Sequence, residues 1–203
     1  VANYFYGSYK INNNKFNFKK NIYLKIISPN FSLSQYKTQS EISQLKRLIR
    51  ISNPEKDKKT IFVWPEGIFY ESYLSDIEKY KDLFKDNFSK NHLIVLGLNS
   101  FKEDKELKDQ KYFNSLVILN NQLEVVHLYN KINLVPFGEF LPFESFLHKF
   151  GFKKITRGYN SFSQGKDRKL INLSDKFNNK LALPLICYEI IYSGKIKNKN
   201  QLP

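Results

Sequence analysis

Three side chains able to take part in covalent chemistry lie just past the ends of apolar runs. Glu66 follows Ile61 to Trp64, Lys131 follows Val125 to Tyr129, and Cys187 follows Leu181 to Ile186. In α/β sheets the carboxyl ends of strands are where sites assemble, because the strands hold side chains rigidly while the loops give access. A carboxylate, an ammonium and a thiol converging there form a coherent set. The carboxylate takes the thiol proton, the thiolate attacks an acyl carbon, and the ammonium favours the thiolate and stabilises the oxyanion that develops. Neither histidine nor a metal is needed. Each residue also has a plainer reading: a loop carboxylate after Trp64-Pro65, a solvated lysine, and a cysteine that fills core space.

Composition narrows the alternatives. A chain of 203 residues with 41% hydrophobic content can bury one substantial core, so a single domain is expected. The formal charge of +14 comes mostly from lysines scattered along the chain, rather than from the clustered Arg, Lys and exposed aromatics of a nucleic-acid groove. It reads as a solvated surface, and no nucleic-acid partner is expected. Cys187 is the sole cysteine, so no intrachain disulfide forms. His92, His127 and His148 lack metal-ligand spacing, and Gly151, Gly158 and Gly165 make no phosphate loop, so no metal or cofactor is expected. No run reaches the ~20 apolar residues of a membrane span. The chain opens at Val1 and stops at Leu202-Pro203, shortly after Cys187, where an α/β domain still needs strands; a fragment is expected.

The elements that must position the three residues follow from periodicity. Tyr23 to Ser28 reads as a strand stopping at Pro29-Asn30. Thr38-Gln39-Ser40-Glu41 has capping-box spacing, and Ile42, Leu45, Leu48 and Ile49 recur at helical period up to Asn53-Pro54. Thr60 to Trp64 is a continuous apolar run, the pattern of a strand covered on both faces. Ile77, Tyr80, Phe84 and Phe88 mark a second helix, and His92 to Gly97 another buried strand. The charged stretch Lys102 to Lys111 reads as an exposed loop or hairpin tip, while Tyr112 to Leu119 and Glu124 to Tyr129 flank Asn120-Asn121 as a hairpin. Leu134 to Pro142 must be irregular, Phe143 to Phe150 is a short helix candidate, and Leu170 to Leu173 and Leu181 to Ile186 are late strands. The order predicts an α/β layered fold.

The local sequences go further. Trp64-Pro65-Glu66, then Tyr129-Asn130-Lys131-Ile132-Asn133-Leu134-Val135-Pro136-Phe137-Gly138-Glu139-Phe140-Leu141-Pro142, then Ile186-Cys187-Tyr188-Glu189 resemble, in order, the three catalytic segments of the carbon-nitrogen hydrolase (nitrilase) superfamily. The middle run resembles the apolipoprotein N-acyltransferase branch, and Tyr6-Gly7 with Lys10 resembles the junction where that family leaves its last membrane helices. The resemblance implies a nitrilase-like α-β-β-α sandwich, incomplete here. Residues 1–20 would be a linker after a missing membrane region, and residues 21–203 the hydrolase-like domain, truncated at its end. It implies Glu66 as general base, Lys131 as oxyanion and geometry residue, and Cys187 as the nucleophile that carries an acyl thioester. Glu139 would be a further essential carboxylate, Tyr188 and Glu189 would shape the acyl pocket, and Tyr36 would match an aromatic on a mobile loop.

The implied reaction moves a fatty acyl group from a glycerophospholipid to the N-terminal amine of a diacylglyceryl-modified apolipoprotein, on the periplasmic side of a bacterial inner membrane. The membrane attachment would run through the missing transmembrane helices. Two departures stand out: Gly67 follows Glu66 where the family commonly has a small polar residue, and Pro184 falls within the expected strand before Cys187, costing a ladder donor. A soluble amidase with the same three residues, cleaving a small amide, is the alternative enzyme. A catalytically dead module binding anionic lipid or nucleic acid through its basic face is the alternative from another class. The aromatic run Phe137, Phe140, Phe143, Phe146 and Phe150 is either ordinary core or a contact for acyl chains.

Overall fold

The structure is a computed structural model that describes residues 2–13, 21–30, 39–104, 109–143 and 161–192. Helix α1 (Ala2–Asn13) buries no residue and exposes Tyr4, Phe5, Tyr6, Tyr9 and Ile11. Strand β1 (Tyr23–Ile26), helix α2 (Glu41–Ser52) and strand β2 (Thr60–Val63) follow. A short strand β3 (Phe69–Tyr73) leads through a 3-10 turn (Leu74–Tyr80) into helix α3 (Lys81–Asn87), and then come β4 (His92–Asp104), β5 (Asp109–Leu119) and β6 (Val125–Asn130). The sheet runs β1-β2-β4-β5-β6, with β3 also paired to β4. β1, β2 and β4 are mutually parallel, and β5 and β6 are antiparallel to their neighbours. A two-stranded antiparallel ribbon of β7 (Ile171–Asn172) and β8 (Leu181–Ala182) follows. Among these residues no helix is long and apolar enough to cross a membrane.

Successive strand residues face opposite sides of the sheet, and the sequence supplies apolar side chains to both. Phe62, Ile94, Leu96, Val117 and Leu119 pack with Leu45, Leu48 and Ile49 of α2 and with Phe84 and Phe88 around α3. Ile61, Leu93 and Ile118 turn the other way and cluster with Ile171, Leu173 and Phe177 from the β7–β8 region. The first face carries the helical layer and the second carries the polar cluster described below. Helix α2 stops where Asn53 takes a left-handed conformation (φ 42°) and its N–H bonds the carbonyls of Ile49 and Arg50, a conformation asparagine tolerates better than most residues.

Several expectations need correction. The N-cap of α2 is Ser40, not Thr38, which lies outside the described residues. Glu41 is instead the first helical residue, and its buried carboxylate accepts hydrogen bonds at 2.6 Å from both Ser72 Oγ and Tyr80 Oη. Of the two readings of Lys102 to Lys111, the hairpin holds and the loop does not, and its arms are longer than expected: β4 and β5 stay paired out to Asp104 and Asp109. Strand β3 had no clear alternation to reveal it. Strand β8 ends at Ala182, so Pro184 lies beyond it and costs that strand no ladder hydrogen bond. Of the helix expected over Phe143 to Phe150, residues 144–150 lie outside the described residues, as does Tyr36.

His92 anchors the start of β4 and is 1% exposed. Its Nδ1 accepts the Ser89 N–H at 3.1 Å and its Nε2 faces the Glu55 carbonyl at 2.9 Å, so a neutral ring with hydrogen on Nε2 satisfies both partners. Burial holds its pKa below the ordinary 6.5. The unfolded chain therefore binds the proton more readily, and the stability this site contributes is present above about pH 6.5 and declines as pH falls below that value. Urea unfolding of the full-length protein between pH 7.5 and 5, as rough bounds on that window, should show this decline, and His92→Gln should flatten it.

Candidate active site

The cluster is built at the C-terminal ends of β2 and β6 and on the middle of β5. β2 ends at Val63, and Trp64, held by Nε1 donation to Ser52 Oγ at 3.0 Å, fixes the turn that presents Glu66. Glu66 lies against β4 where Gly97 leaves room. A Cβ built on Gly97 would stand 3.1 Å from Glu66 Cγ and 3.2 Å from its Cα, so a larger residue there would displace the carboxylate. Lys131 follows Asn130, the last residue of β6, and its backbone N–H bonds the Asn114 carbonyl at 2.9 Å. Its ammonium, 1% exposed, donates to Glu139 Oε1 at 2.9 Å.

The irregular segment after Lys131 is a tight turn shaped by Glu139. Phe137 N–H bonds the Phe140 carbonyl at 2.7 Å, Glu139 N–H bonds the Val135 carbonyl at 2.8 Å, and Glu139 Oε2 accepts the Val135 N–H at 2.9 Å. Asn114, a residue that sequence reasoning passed over, donates through Nδ2 to Glu66 Oε1 at 3.0 Å and to Glu139 Oε1 at 2.8 Å. Its signal was available: Asn114 shares a strand face with Leu116 and Ile118, and a polar residue at an inward position of such a strand needs partners. Residues 162–165 lace across the cluster through N–H donation from Phe162 to Glu139, Ser163 to Tyr112 and Gly165 to Lys131 carbonyls. Gly165 is required by that approach, since a Cβ there would stand 2.0 Å from the Asn130 carbonyl oxygen.

Cys187 begins a 3-10 turn (Cys187–Ile191) and is exposed, with φ at 52°. A left-handed conformation in a residue bearing a Cβ costs about 1–2 kcal/mol and persists only where its surroundings enforce it. Glu189 supplies that enforcement. Its fully buried carboxylate accepts the Ile186 N–H at 2.9 Å, the Ile132 and Asn133 N–H groups at 3.0 Å each, the Tyr129 hydroxyl at 3.0 Å and Arg168 Nη2 at 2.6 Å. The cysteine turn is thereby tied to the segment that follows Lys131. Tyr188 adds a second tie, donating to the Leu134 carbonyl at 2.8 Å and placing its ring 5.2 Å from Lys131 Nζ.

The structure thus brings Glu66, Lys131 and Glu139 together through Asn114, and seats the Cys187 turn on the Lys131 segment through Tyr188 and Glu189. No hydrogen bond joins the Cys187 thiol to Glu66 or Lys131 among the described residues. Arg168 was also missed in the sequence, where one more cation in a lysine-rich chain gives little signal. It bonds the Tyr129 hydroxyl at 3.1 Å and lies with its guanidinium 5.7 Å from the Tyr129 ring. Burial and the adjacent Glu189 charge push Tyr129 up to about 12, and burial with the Tyr192 hydrogen bond does the same for Tyr188, so both stay neutral donors across the physiological range. Among the described residues no group of His, Cys, Asp and Glu could hold a metal.

Burial works to raise the Glu189 pKa, but the hydrogen bonds from the Asn133 and Ile186 N–H groups, the Tyr129 hydroxyl and the Ile132 N–H outweigh it, and the carboxyl sits below the ordinary 4.5. The stabilisation from this carboxylate is therefore present above about pH 4.5 and is lost as pH falls through its lower folded value. Glu189→Gln leaves Arg168 without its charge partner and turns an amide against N–H donors. Urea unfolding should show a loss of about 3 kcal/mol at neutral pH, with a weaker dependence on acid than the unsubstituted protein.

The carbon-nitrogen hydrolase family profile matches residues 55–197. An apolipoprotein N-acyltransferase of Bradyrhizobium diazoefficiens is 27% identical over 189 residues, covering 89% of this chain and 34% of the relative. Those of Rhizobium leguminosarum bv. trifolii and Caulobacter vibrioides are 32% and 33% identical, each covering 68% of this chain and respectively 25% and 26% of the relative. The chain thus spans between a quarter and about a third of the length of these curated relatives. A crystal structure of an N-terminal amidase with an Asn-Glu-Ala peptide is similar at a TM-score of 0.33 and 20% identity, over 55% of this chain and 28% of that one. The matched span runs from just after α2 through the Cys187 turn and includes Glu66, Lys131, Glu139 and Cys187; on that match the chain belongs to the carbon-nitrogen hydrolase family.

Proposed function

We propose that this chain is the catalytic part of an apolipoprotein N-acyltransferase that works through Glu66, Lys131 and Cys187. The observation that carries the reading is the joining of the Lys131 segment to both carboxylate positions and to the Cys187 turn. The similarity to apolipoprotein N-acyltransferases over most of the chain supports the choice of reaction.

In the first half-reaction Glu66 takes the thiol proton and Cys187 Sγ attacks the carbonyl carbon of a glycerophospholipid ester. Lys131 faces the oxyanion that forms. The C–O bond then breaks, the leaving alkoxide recovers the proton from Glu66, and a lysophospholipid departs while the acyl group stays on sulfur as a thioester. In the second half-reaction the N-terminal amine of a diacylglyceryl-modified apolipoprotein attacks that carbonyl. The C–N bond forms as the C–S bond breaks, and one amine proton passes by way of Glu66 to the departing Cys187 sulfur, restoring both the thiol and the Glu66 carboxylate. Glu139 holds the Lys131 ammonium in place, and Glu189 holds the strained Cys187 turn. Exposed Phe137, Phe143, Ile190 and Ile191 near these turns suit contact with acyl chains.

In this reading residues 1–20 link the domain of residues 21–203 to membrane-spanning segments, and the domain faces the periplasmic side of a bacterial inner membrane. The exposed aromatic residues of α1 are in keeping with a place next to an interface.

The test is acyl transfer by the full-length enzyme from phospholipid vesicles to a diacylglyceryl-cysteinyl peptide. Cys187→Ala should abolish transfer, and Glu66→Gln and Lys131→Ala should each reduce it by about a hundredfold or more. Full transfer by Cys187→Ala would contradict the reading. Hydrolysis of a small amide by the same three residues, with no transfer from lipid, would favour a soluble amidase.

A further inference from the structure

Asn114 sits in the middle of β5 and is 7% exposed. Among the described residues its side chain alone bonds both Glu66 and Glu139, and its backbone carbonyl also receives the Lys131 N–H. A primary amide carries two N–H groups on one planar nitrogen, so it holds two acceptors apart at a fixed angle. The two carboxylates it holds differ in what surrounds them. Glu139 is 9% exposed and accepts from Lys131, Asn114 and the Val135 N–H, whereas Glu66 is exposed and its Oε2 takes no hydrogen bond from the described residues.

We infer that Asn114 is a positioning residue that divides the labour of the two carboxylates. It keeps Glu139 on Lys131 and turns the free oxygen of Glu66 outward as the proton acceptor. The inference rests on the acyl-transfer reading above. Without the amide, nothing in the cluster would keep Glu66 from swinging onto the Lys131 ammonium, an attraction strong at low local dielectric. Such a collapse would occupy the base and draw the ammonium away from the forming oxyanion at once. An aspartate at the same place would fail differently, by adding a third carboxylate beside two others.

The experiment is single-turnover acylation of the full-length enzyme by phospholipid vesicles, with steady-state KM for the donor alongside. Asn114→Leu keeps the volume and removes the donors; acylation should slow about a hundredfold while KM moves by less than about threefold. Asn114→Asp should lose at least as much, and the acid limb of its pH profile should move to higher pH, a displacement a purely structural role would not produce. Circular dichroism and Tm report whether each variant folds. If either is unfolded, Asn114→Ser is the variant to read, with a loss of about tenfold or more expected. Folded variants that acylate at the unsubstituted rate would overturn the inference. Glu66→Gln and Cys187→Ala run beside them separate the two failures. If these also acylate normally the acyl-transfer reading fails, and if they do not while the Asn114 variants do, only the role of Asn114 fails.

Discussion

Lys131 carries a charge into a place where water hardly reaches it, and the architecture of the candidate site follows from keeping that charge paired. Removing an ion from water costs several kcal/mol unless a partner and further hydrogen bonds replace the lost solvation. Glu139 provides the partner, and the 135–140 turn is folded so that the same carboxylate also receives the Val135 N–H. Asn114 adds a donor to the same oxygen and bonds the Lys131 backbone through its own carbonyl. The pair is therefore anchored to the sheet through β5, not merely at the end of β6.

A second buried carboxylate, Glu189, organises the other half. Its N–H donors come from both sides of the site, Ile132 and Asn133 on the Lys131 segment and Ile186 just before the cysteine. One side chain thus fixes the spacing between two loops and enforces the left-handed conformation at Cys187. The hydrogen bonds and the Arg168 ion pair hold the carboxyl ionised against the cost of burial. The strain on Cys187 and the charge network that sustains it belong to one construction, in which rigidity at Cys187 is secured from outside the turn itself.

The elements with strong periodicity were legible in the sequence. The apolar run Thr60 to Val63 reads as a strand covered on both faces because both faces are buried, and Leu45, Leu48 and Ile49 mark the inward side of α2 because helical spacing puts them there. The segments around Glu66, Lys131 and Cys187 were legible as motifs. Less legible was whatever depends on pairing distant in sequence. The arms of β4 and β5 beyond Phe101 carry charged residues and read as loop or hairpin tip, yet cross-strand hydrogen bonds extend them as strand. Glu41 reads as a capping residue from local spacing, but Ser72 and Tyr80 claim its carboxylate. Asn114 and Arg168 are ordinary polar residues until the sheet and the cysteine turn bring their partners to them.

The account depends most directly on Cys187 carrying the acyl group. Peptide mass mapping of the full-length enzyme, quenched after mixing with vesicles of a single phospholipid, measures this. The account predicts a Cys187 peptide heavier by one acyl chain, with the adduct removed by hydroxylamine as a thioester would be. Continued acyl transfer with an unmodified Cys187 at every quench time, or with the acyl group on another residue, would contradict it.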